Sequence, residues 1–221
     1  WVVRNLVREG VPTTVFDLGG STHRLELIMT ADELAQVNFI KVDVSDLNVV
    51  DSAVKDTGTP HIIHLAGLQV PMCKADPSLG ARVNVVGTVH ILEAAKRAGL
   101  KHVVYASSIA VYGLSEEYPE GALQHEAAPK PRTHYGVYKQ ANEGTARIYW
   151  LDHGLSSIGL RPYIVYGPGR DQGMTSSPTK AMLAAALNQP YHIPYGGRAM
   201  YQYAADTTRI LIRSARTAFQ G

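Results

Sequence analysis

The sequence predicts an α/β fold with a doubly wound parallel sheet. Short apolar runs with the length and composition of buried strands recur through the first three quarters of the chain, at 12–17, 39–44, 61–66, 102–107 and 156–163. Longer segments with helical spacing lie between them, most clearly 78–98 and 134–153. Strands that alternate with helices in this way are typical of βαβ units, whose strands are parallel.

Composition and charge argue against nucleic acid and membranes as the main partners and favour a small molecule. The 221 residues carry a net charge of +2, and the lysines and arginines are scattered, so neither nucleic acid nor an anionic membrane is expected as the main partner. No apolar stretch approaches the roughly 20 residues of a membrane-spanning helix. The single cysteine, Cys73, fits a reducing compartment, which we expect to be the cytoplasm. No metal site is predicted.

The first predicted strand ends in an acid. Apolar residues at helical spacing over 2–7 predict a helix before this strand, which covers 12–17 and ends at Asp17. In dinucleotide-binding folds, an acid at this position accepts hydrogen bonds from the adenosine ribose and repels a 2′-phosphate. Asp17 therefore favours NAD over NADP, although it also fits a turn aspartate before Gly19, and Arg24 weakens the preference.

The next two predicted strands also lead into residues to which a role can be assigned. The run 39–44 precedes Asp46, which we interpret as the N-cap of a helix over 48–57. The third strand leads into Gly67, where a side chain would obstruct the diphosphate of a dinucleotide. His64 lies within that strand and has no partner in the sequence pattern, so we interpret it as a core histidine.

Tyr135 and Lys139 form the candidate catalytic pair. A helix over 134–153 places them one turn apart on one face. A fixed cation favours the phenolate, so we expect the pKa of Tyr135 to fall from roughly 10 toward neutrality, where it can exchange a proton with an alcohol or carbonyl. Ser108, delivered by the strand 102–107, would hydrogen-bond the same substrate oxygen. For the pair alone, the alternative is an ordinary amphipathic helix with a solvated lysine.

Three longer motifs surround these residues. They are 107–113 (SSIAVYG), 135–139 (YGVYK) and 160–169 (LRPYIVYGPG). In order and spacing they resemble the signatures of the extended short-chain dehydrogenase/reductases, the family of nucleotide-sugar epimerases and dehydratases. The resemblance covers nearly the whole chain. It implies a Rossmann-like sheet, an NAD cofactor, and Ser108, Tyr135 and Lys139 as catalytic residues.

The resemblance also implies a set of cofactor contacts. Asp43 and Val44 would touch the adenine, and Asn84 would orient the strand ends beside the cofactor. The other contacts would come from the acid of the first strand, the turn after the third strand, the catalytic pair and the segment flanking the nicotinamide: Asp17, Leu65, Ala66, Gly67, Tyr135, Lys139, Pro162 and Val165.

The same resemblance divides the chain into three parts. Residues 1–166 would be the NAD-binding domain, 167–205 part of a substrate-binding lobe, and 206–221 a helix that returns to the cofactor domain. The stretch 114–133, rich in Pro, Glu and Gly, would form a surface loop. The family's first strand and its Gly-x-x-Gly-x-x-Gly turn have no counterpart, so we expect a fragment that lacks both ends of a longer enzyme and binds NAD poorly.

The residues after Ser108 narrow the reaction. Dehydratases of this family carry Asp-Glu directly after the catalytic Ser or Thr, whereas Ile109 and Ala110 stand here and cannot move a proton. Dehydration is therefore not expected. What remains is an NAD-dependent epimerase or oxidoreductase of a sugar or nucleotide sugar.

Two alternatives stay open. Many relatives bind the nucleotide with an arginine at a position that matches Ala199 or Met200 here, with Arg198 one place early. A dehydrogenase or reductase of a non-nucleotide sugar or hydroxy compound is therefore the first alternative, and a non-catalytic dinucleotide-binding regulator is the second. Pairing through the helices at 78–98 and 134–153, as in many relatives, would give a homodimer.

Overall fold

A computed structural model describes residues 1–124, 126–217 and 221. The strands are β1 (Thr13–Asp17), β2 (Val37–Lys41), β3 (Ile62–His64), β4 (His102–Ala106), β5 (Ser156–Leu160), β6 (Ile164–Tyr166) and β7 (Tyr201–Tyr203). The helices are α1 (Val2–Arg8), α2 (His23–Glu26), α3 (Ala31–Leu34), α4 (Leu47–Thr57), α5 (Val70–Ala75), α6 (Pro77–Ala81), α7 (Gly87–Arg97), α8 (His134–His153), α9 (Ser177–Ala186) and α10 (Ala204–Arg216). A π-helical turn at Arg82–Val86 joins α6 to α7, and 3₁₀ turns lie at Ile109–Val111, Ser115–Glu117 and Met174–Ser176.

Every strand pair in the described part of the chain is parallel, which confirms the predicted fold class. β1 pairs with β2, β4 lies between β3 and β5, and β6 pairs with β7. In the three-stranded sheet, Tyr105 of β4 is level with His64 at the end of β3, and Ala106 with Leu160 at the end of β5. The three strands therefore end at one edge, where ligands bind in open α/β sheets.

The continuous apolar run of β4 is explained by burial on both faces. Val103 and Tyr105 lie in a core with Val54 of α4 and Leu92 of α7. Val104 points the other way, into a cluster with Leu211 of α10. Fully burying an aliphatic side chain stabilises the fold by roughly 1.5–3 kcal/mol, so helices on both faces hold this strand in place.

Some strand boundaries differ from the predicted runs. β2 begins at Val37 and ends at Lys41, earlier than the predicted run 39–44. The predicted strand 156–163 breaks after Leu160, because Pro162 has no N–H to donate to a ladder. The chain then forms β6, which pairs with β7. The sequence pattern did not predict β7, since three residues are too few to show a period.

The predicted helices form with small shifts. The predicted helix 78–98 is interrupted by the π-helical turn, a geometry that is frequent at functional sites. α8 begins after Thr133, whose side chain accepts the N–H of Gly136 at 3.0 Å. It ends at Gly154, whose φ of 64° is the left-handed conformation that favours glycine.

Two predicted segments extend partly outside the described residues. His125 belongs to the loop 114–133 and residues 218–220 to the C-terminal segment 206–221. No helix in the described chain is long and apolar enough to cross a membrane. Among the same residues, no three His, Cys, Asp or Glu side chains are placed to hold a metal ion.

Candidate active site

Ser108 and Tyr135 meet because the first turn of α8 packs on the chain that leaves β4. Ser108 follows β4 and caps the 3₁₀ turn, accepting the N–H of Ala110 at 3.1 Å. A Cβ on Gly136 would lie 2.2 Å from the carbonyl oxygen of Ala110, so only glycine allows this approach. The contact brings Tyr135 into a side-chain hydrogen bond with Ser108.

Lys139 completes the cluster from the next turn of α8. Its side chain is 5% exposed, and Nζ donates to the carbonyl oxygen of Ala106 at 2.6 Å. The same Nζ lies 5.6 Å from the centre of the Tyr135 ring. Burial lowers the pKa of Lys139 to about 8, because the ammonium has lost most of its water. The solvated-lysine alternative is therefore wrong.

The expected direction of the Tyr135 pKa shift is also wrong. Burial raises the pKa of the phenol above its ordinary value, and this effect exceeds the lowering by the hydrogen bond with Ser108 and by the charge of Arg170. The ammonium of Lys139 donates to Ala106 at the end of β4. Tyr135 is therefore a neutral phenol at pH 7, which suits a proton donor to a carbonyl oxygen.

Asn84 holds the turn after β3 from inside the π-helical segment. It is 1% exposed, its Oδ1 accepts the N–H of Leu68 at 2.6 Å and its Nδ2 donates to the carbonyl oxygen of Leu68 at 2.9 Å. This two-point clamp fixes the turn formed by Leu65, Ala66 and Gly67. Asn84 therefore lies at the turn after β3, and its orienting role beside a cofactor stays a prediction.

Gly67 lies where that turn approaches the catalytic pair. A Cβ placed on Gly67 would be 3.3 Å from Asn84 Oδ1 and 3.7 Å from Lys139 Nζ. Both the glycine and its neighbour Leu65 are exposed. The turn therefore presents bare backbone beside Lys139, as a diphosphate would require.

The predicted adenosine contacts lie at the ends of the other parallel pair. Asp17 is exposed at the end of β1, where Oδ1 accepts the N–H of Gly19 at 3.2 Å. Asp43 is exposed just after β2, and Ser45 donates to it from both N–H and Oγ. These hydrogen bonds lower the pKa of Asp43. The Val44 side chain packs in the core, so only its backbone is available to a cofactor.

The side chain of Arg24, which could have favoured NADP, is paired with an acid. Its Nε and Nη2 both lie 2.9 Å from Oδ1 of Asp171. The guanidinium of Arg24 is therefore occupied by a carboxylate in this structure.

Pro162 and Val165 follow the end of β5. The carbonyl oxygen of Pro162 accepts the N–H of Ile109 at 3.2 Å, which ties this segment to the turn that follows Ser108. Val165 lies in the middle of β6, opposite Gln202 of β7. The structure thus brings Pro162 against the turn that follows Ser108, whereas Val165 lies within β6.

Sequence reasoning missed a charged network behind Ser108. Glu143 forms a bidentate pair with Arg161, with N···O distances of 2.7 Å, and accepts a 2.5 Å hydrogen bond from Ser107 Oγ. Arg161 also donates to the hydroxyl of Tyr112. The network links β4, α8 and the segment after β5. One signal was present, because Glu143 lies one helical turn beyond Lys139 on the same helix.

A second missed residue is Arg170, which lies in the turn after β6. Its charge lowers the pKa of Tyr135, while burial lowers the pKa of the guanidinium itself. No sequence pattern pointed to this residue, because Arg170 and Tyr135 are 35 positions apart and meet only through the fold.

His64 and Cys73 are structural. His64 is buried and hydrogen-bonds Thr88 at 3.1 Å, and burial lowers its pKa to about 3, so it is neutral. The predicted core histidine is confirmed. Cys73 is fully buried against the carbonyl oxygen of Leu68, and burial raises the pKa of its thiol.

The fold and the site define an α/β protein with a Ser, Tyr and Lys cluster at the carboxyl edge of a parallel sheet. Residues 1–218 match the NAD dependent epimerase/dehydratase family, and the chain belongs to that family.

Individual proteins agree with this assignment. UDP-glucose 4-epimerase of Mycolicibacterium smegmatis is 32% identical over 170 residues, which cover 74% of this chain and 53% of the relative. The structure of UDP-glucose 4-epimerase from Thermus thermophilus in complex with NAD has a TM-score of 0.81 at 26% identity, over 100% of this chain and 71% of that one. The structure of a GalE-like L-threonine dehydrogenase from Cupriavidus necator has a TM-score of 0.85, and the match covers 98% of this chain and 68% of that chain. At 20% identity, this likeness shows the fold alone. The chain spans about half the length of the curated relatives it matches.

Proposed function

We propose that the full-length protein is an NAD-dependent epimerase or oxidoreductase that acts on a hydroxyl-bearing carbon of a sugar or nucleotide sugar. The observation that carries the proposal is the cluster of Ser108, Tyr135 and Lys139 at the carboxyl edge of the sheet. The family and its UDP-glucose 4-epimerase members support it. The cluster keeps all three groups, which argues against a regulator without catalysis.

The residues at the sheet edge fit a nicotinamide dinucleotide. Gly67 leaves open backbone beside Lys139, and exposed Asp17 offers carboxylate oxygen at the place expected for a ribose. Asp43, the backbone of Val44, and the turn 65–67 held by Asn84 would provide the other contacts, with Pro162 and Val165 near the nicotinamide. NAD is preferred to NADP because Arg24, the arginine nearest in sequence to Asp17, is paired with Asp171. When bound, this cofactor supplies the acceptor or donor of a hydride.

Side chains of the protein would transfer the proton to and from the substrate. In the reductive direction, the neutral phenol of Tyr135 gives its proton to the substrate carbonyl oxygen, while the Ser108 hydroxyl hydrogen-bonds the same oxygen. In the oxidative direction, the phenolate takes the alcohol proton, and the positive charge of Arg170 favours that form. Ile109 and Ala110, in the turn after Ser108, offer no acid or base for dehydration.

A second candidate is a dehydrogenase of a non-nucleotide sugar or hydroxy compound. Met200 is 68% exposed just before β7, and neither it nor Ala199 can pair with a nucleotide phosphate. This observation favours a substrate without a nucleotide. Mass spectrometry of the purified protein separates the two, because an epimerase retains NAD and a dehydrogenase releases it.

The direct test is Tyr135→Phe in the full-length protein. We expect turnover on a panel of sugars and nucleotide sugars to fall by about 10³-fold, because the proton donor is lost, while NAD affinity changes by less than about threefold. Tyr138→Phe is the matched control, since its hydroxyl donates to the carbonyl oxygen of Pro77 and takes no part in the cluster. Wild-type turnover by Tyr135→Phe would refute the proposal.

We also propose a homodimer built on α8. This helix exposes Val137, Ile148 and Leu151, and neighbouring α5 and α6 expose Met72 and Leu79. Such a set of apolar side chains is typical of an interface between subunits. Sedimentation of the full-length protein would test it, and a monomer at micromolar concentration would rule the dimer out.

A further inference from the structure

Ser108 lies in a short connection that other parts of the chain hold in place. It is the N-cap of the single 3₁₀ turn that follows β4. On one side of it, Ser107 is 2% exposed, and its Oγ donates to Oε1 of Glu143 at 2.5 Å. On the other side, the N–H of Ile109 donates to the carbonyl oxygen of Pro162 at 3.2 Å. The position of Ser108 is therefore fixed through its two neighbours in the chain.

Both of these contacts lead to the carboxylate of Glu143. Its two oxygens accept from Nε and Nη2 of Arg161 at 2.7 Å, and the side chains of Glu143 and Arg161 are 19% and 23% exposed. Arg161 directly precedes Pro162, the residue that accepts the N–H of Ile109. One carboxylate thus ties the end of β4 to the segment after β5, and Ser108 lies between the two tied points.

Arg161 also holds the far end of the same turn. Its Nη1 donates to the hydroxyl of Tyr112, and the guanidinium carbon lies 5.0 Å from the centre of the Tyr112 ring. Tyr112 closes the 3₁₀ turn, since its N–H donates to the carbonyl oxygen of Ile109 at 2.9 Å. Hydrogen bonds from a guanidinium are stronger than neutral ones and fix direction as well as distance. The turn that carries Ser108 is therefore held at its start and at its end.

α8 carries Glu143 on the same side as the catalytic pair. Tyr135, Lys139 and Glu143 follow one another at intervals of one helical turn. The helix that presents the phenol of Tyr135 therefore also holds the turn that presents the hydroxyl of Ser108. Such a connection keeps two reacting groups in register, which matters because a misplacement of about 1 Å can slow a reaction about 100-fold.

We propose that Glu143 is a positioning residue for the proposed reaction and that it holds the turn in which the Ser108 hydroxyl meets the phenol of Tyr135. This inference rests on the proposed function and adds to the same site a residue that touches neither substrate nor cofactor. Glu143 acts through Ser107 on one side and through Arg161 on the other. Without the carboxylate, Ser108 gains freedom, and its hydrogen bond with Tyr135 weakens.

The test is Glu143→Gln in the full-length protein, assayed with NAD and a panel of free hexoses and their nucleoside diphosphate conjugates. On each substrate that the wild type turns over, we expect kcat to fall by about tenfold or more, because Ser108 is misplaced. KM and the calorimetric affinity for NAD should stay within about threefold, since the substituted side chain contacts neither ligand. Ser107→Ala removes one of the two contacts and should lower kcat by about threefold or more.

The titration of Tyr135 gives a readout that does not depend on turnover. Its hydrogen bond with Ser108 lowers the pKa of the phenol, against the larger rise that burial causes. Loss of that hydrogen bond in Glu143→Gln should therefore raise the pKa of Tyr135 further. NMR of protein with ¹³C-labelled tyrosine measures this pKa, and Tyr135→Phe assigns the signal. The pH midpoint of substrate oxidation should move upward as well, because oxidation uses the phenolate.

Other groups near the phenol should not contribute to this change. Cys73 and Arg170 act on Tyr135, and Nζ of Lys139 lies 5.6 Å from the centre of its ring. The described hydrogen bonds of the Glu143 carboxylate go to other residues. A rise in the pKa of Tyr135 therefore reports the loss of its contact with Ser108.

Glu93→Gln is the matched control. Tyr149 and Lys96 both donate to Glu93 at 2.6 Å, so this substitution also removes a carboxylate that hydrogen-bonds to α8, at a place where no described contact reaches Ser108. Urea unfolding shows that each variant is folded and how far it is destabilised. We expect Glu93→Gln to leave kcat and the pKa of Tyr135 unchanged, whereas Glu143→Gln changes both.

Two results would overturn the inference and leave the proposed function standing. They are a kcat of Glu143→Gln within about twofold of the wild type, and an equal loss of kcat in Glu143→Gln and Glu93→Gln, which would make the network a structural one. If Glu143→Gln does not fold, Ser107→Ala decides, because it keeps the ion pair, and a wild-type kcat there would also overturn the inference. Absence of NAD-linked turnover on the whole panel would overturn both proposals together.

Discussion

The two sides of the site are built in different ways. The inner wall consists of Asn84, Ser107, Ser108 and Lys139, which lie on the parallel sheet and the helices that cover it. The outer wall is the segment 167–203, where Met174 is 62% exposed and the chain is largely irregular. Hydrogen bonds to other elements hold Asn84, Ser107 and Lys139, whereas the outer wall combines local turns with an exposed ion pair between Asp171 and Arg24. This difference suits a site whose chemistry is constant and whose substrate contacts vary.

The contrast follows from the number of elements that each wall joins. Glu143 connects β4, α8 and the segment after β5, and Asn84 connects the π-helical turn to the turn after β3. In the outer wall, the contact of Arg170 with Thr175 spans only five residues. Contacts between distant elements keep reacting groups in place, and local contacts allow a segment to change without unfolding the sheet.

The largest effect that we expect is on stability, and it tests the difference between the two walls. Glu143→Gln removes the charge from a bidentate pair with Arg161 and weakens the bond with Ser107, so we expect a loss of about 2–3 kcal/mol in the free energy of unfolding. Thr175→Val in the outer wall breaks one hydrogen bond and should lose about 1 kcal/mol or less. Urea unfolding measures both, and equal losses would remove the distinction between the walls.

An intermediate effect is expected at Gly67. Gly67→Ala places a methyl group 3.3 Å from Asn84 Oδ1, on the surface where the diphosphate would lie. We expect NAD affinity of the full-length protein to fall about tenfold or more, with less than about 1 kcal/mol change in stability. Calorimetric titration measures the affinity. Gly144→Ala on the open face of α8 is the matched control, since a Cβ there meets nothing within 4 Å and affinity should not change.

The smallest effect concerns the buried charge of Lys139. Its pKa is about 8 against an ordinary 10.5, so the unfolded chain binds more protons between these pH values and stability rises with pH across that window. Below pH 8 the buried ammonium destabilises the fold by roughly 3 kcal/mol. Lys139→Met removes this penalty but leaves Ala106 without its donor, so we expect a net stabilisation of about 1 kcal/mol at pH 7.

The pH dependence checks the sign of that effect. The stability difference between Lys139→Met and the wild type should shrink as the pH rises from 8 to 10.5, because the wild-type lysine then loses its charge. Thermal unfolding of both proteins over this range measures it. A difference that grows with pH would mean that the ammonium stabilises the inner wall.

Much of the inner wall could be predicted from the sequence because its signals are local. Ser108 stands at the end of an apolar strand, Tyr135 and Lys139 are one helical turn apart, and Gly67 follows a strand that ends in a turn. Each position is fixed by a period or a boundary in its immediate neighbourhood. The structure brings Ser108, Tyr135 and Lys139 together and places Gly67 beside them, as those patterns predict.

Other features could not be predicted, because they depend on contacts between distant parts of the chain. The sequence places Tyr135 and Lys139 on one face, but the rise in the Tyr135 pKa depends on how deeply the fold buries the phenol. Glu143 meets Arg161 across 18 positions, and β7 pairs with β6 although α9 lies between them in the chain.

The sequence by itself determined the parallel α/β fold, the family and the membership of the candidate catalytic cluster, since strand ends and helix faces follow from local patterns of apolar and polar residues. Only the tertiary structure decided the protonation of that cluster, the network behind Ser108 and the orientation of Arg170. Burial and long-range pairing set the electrostatic energy of each charge, and neither is encoded in the spacing of residues along the chain.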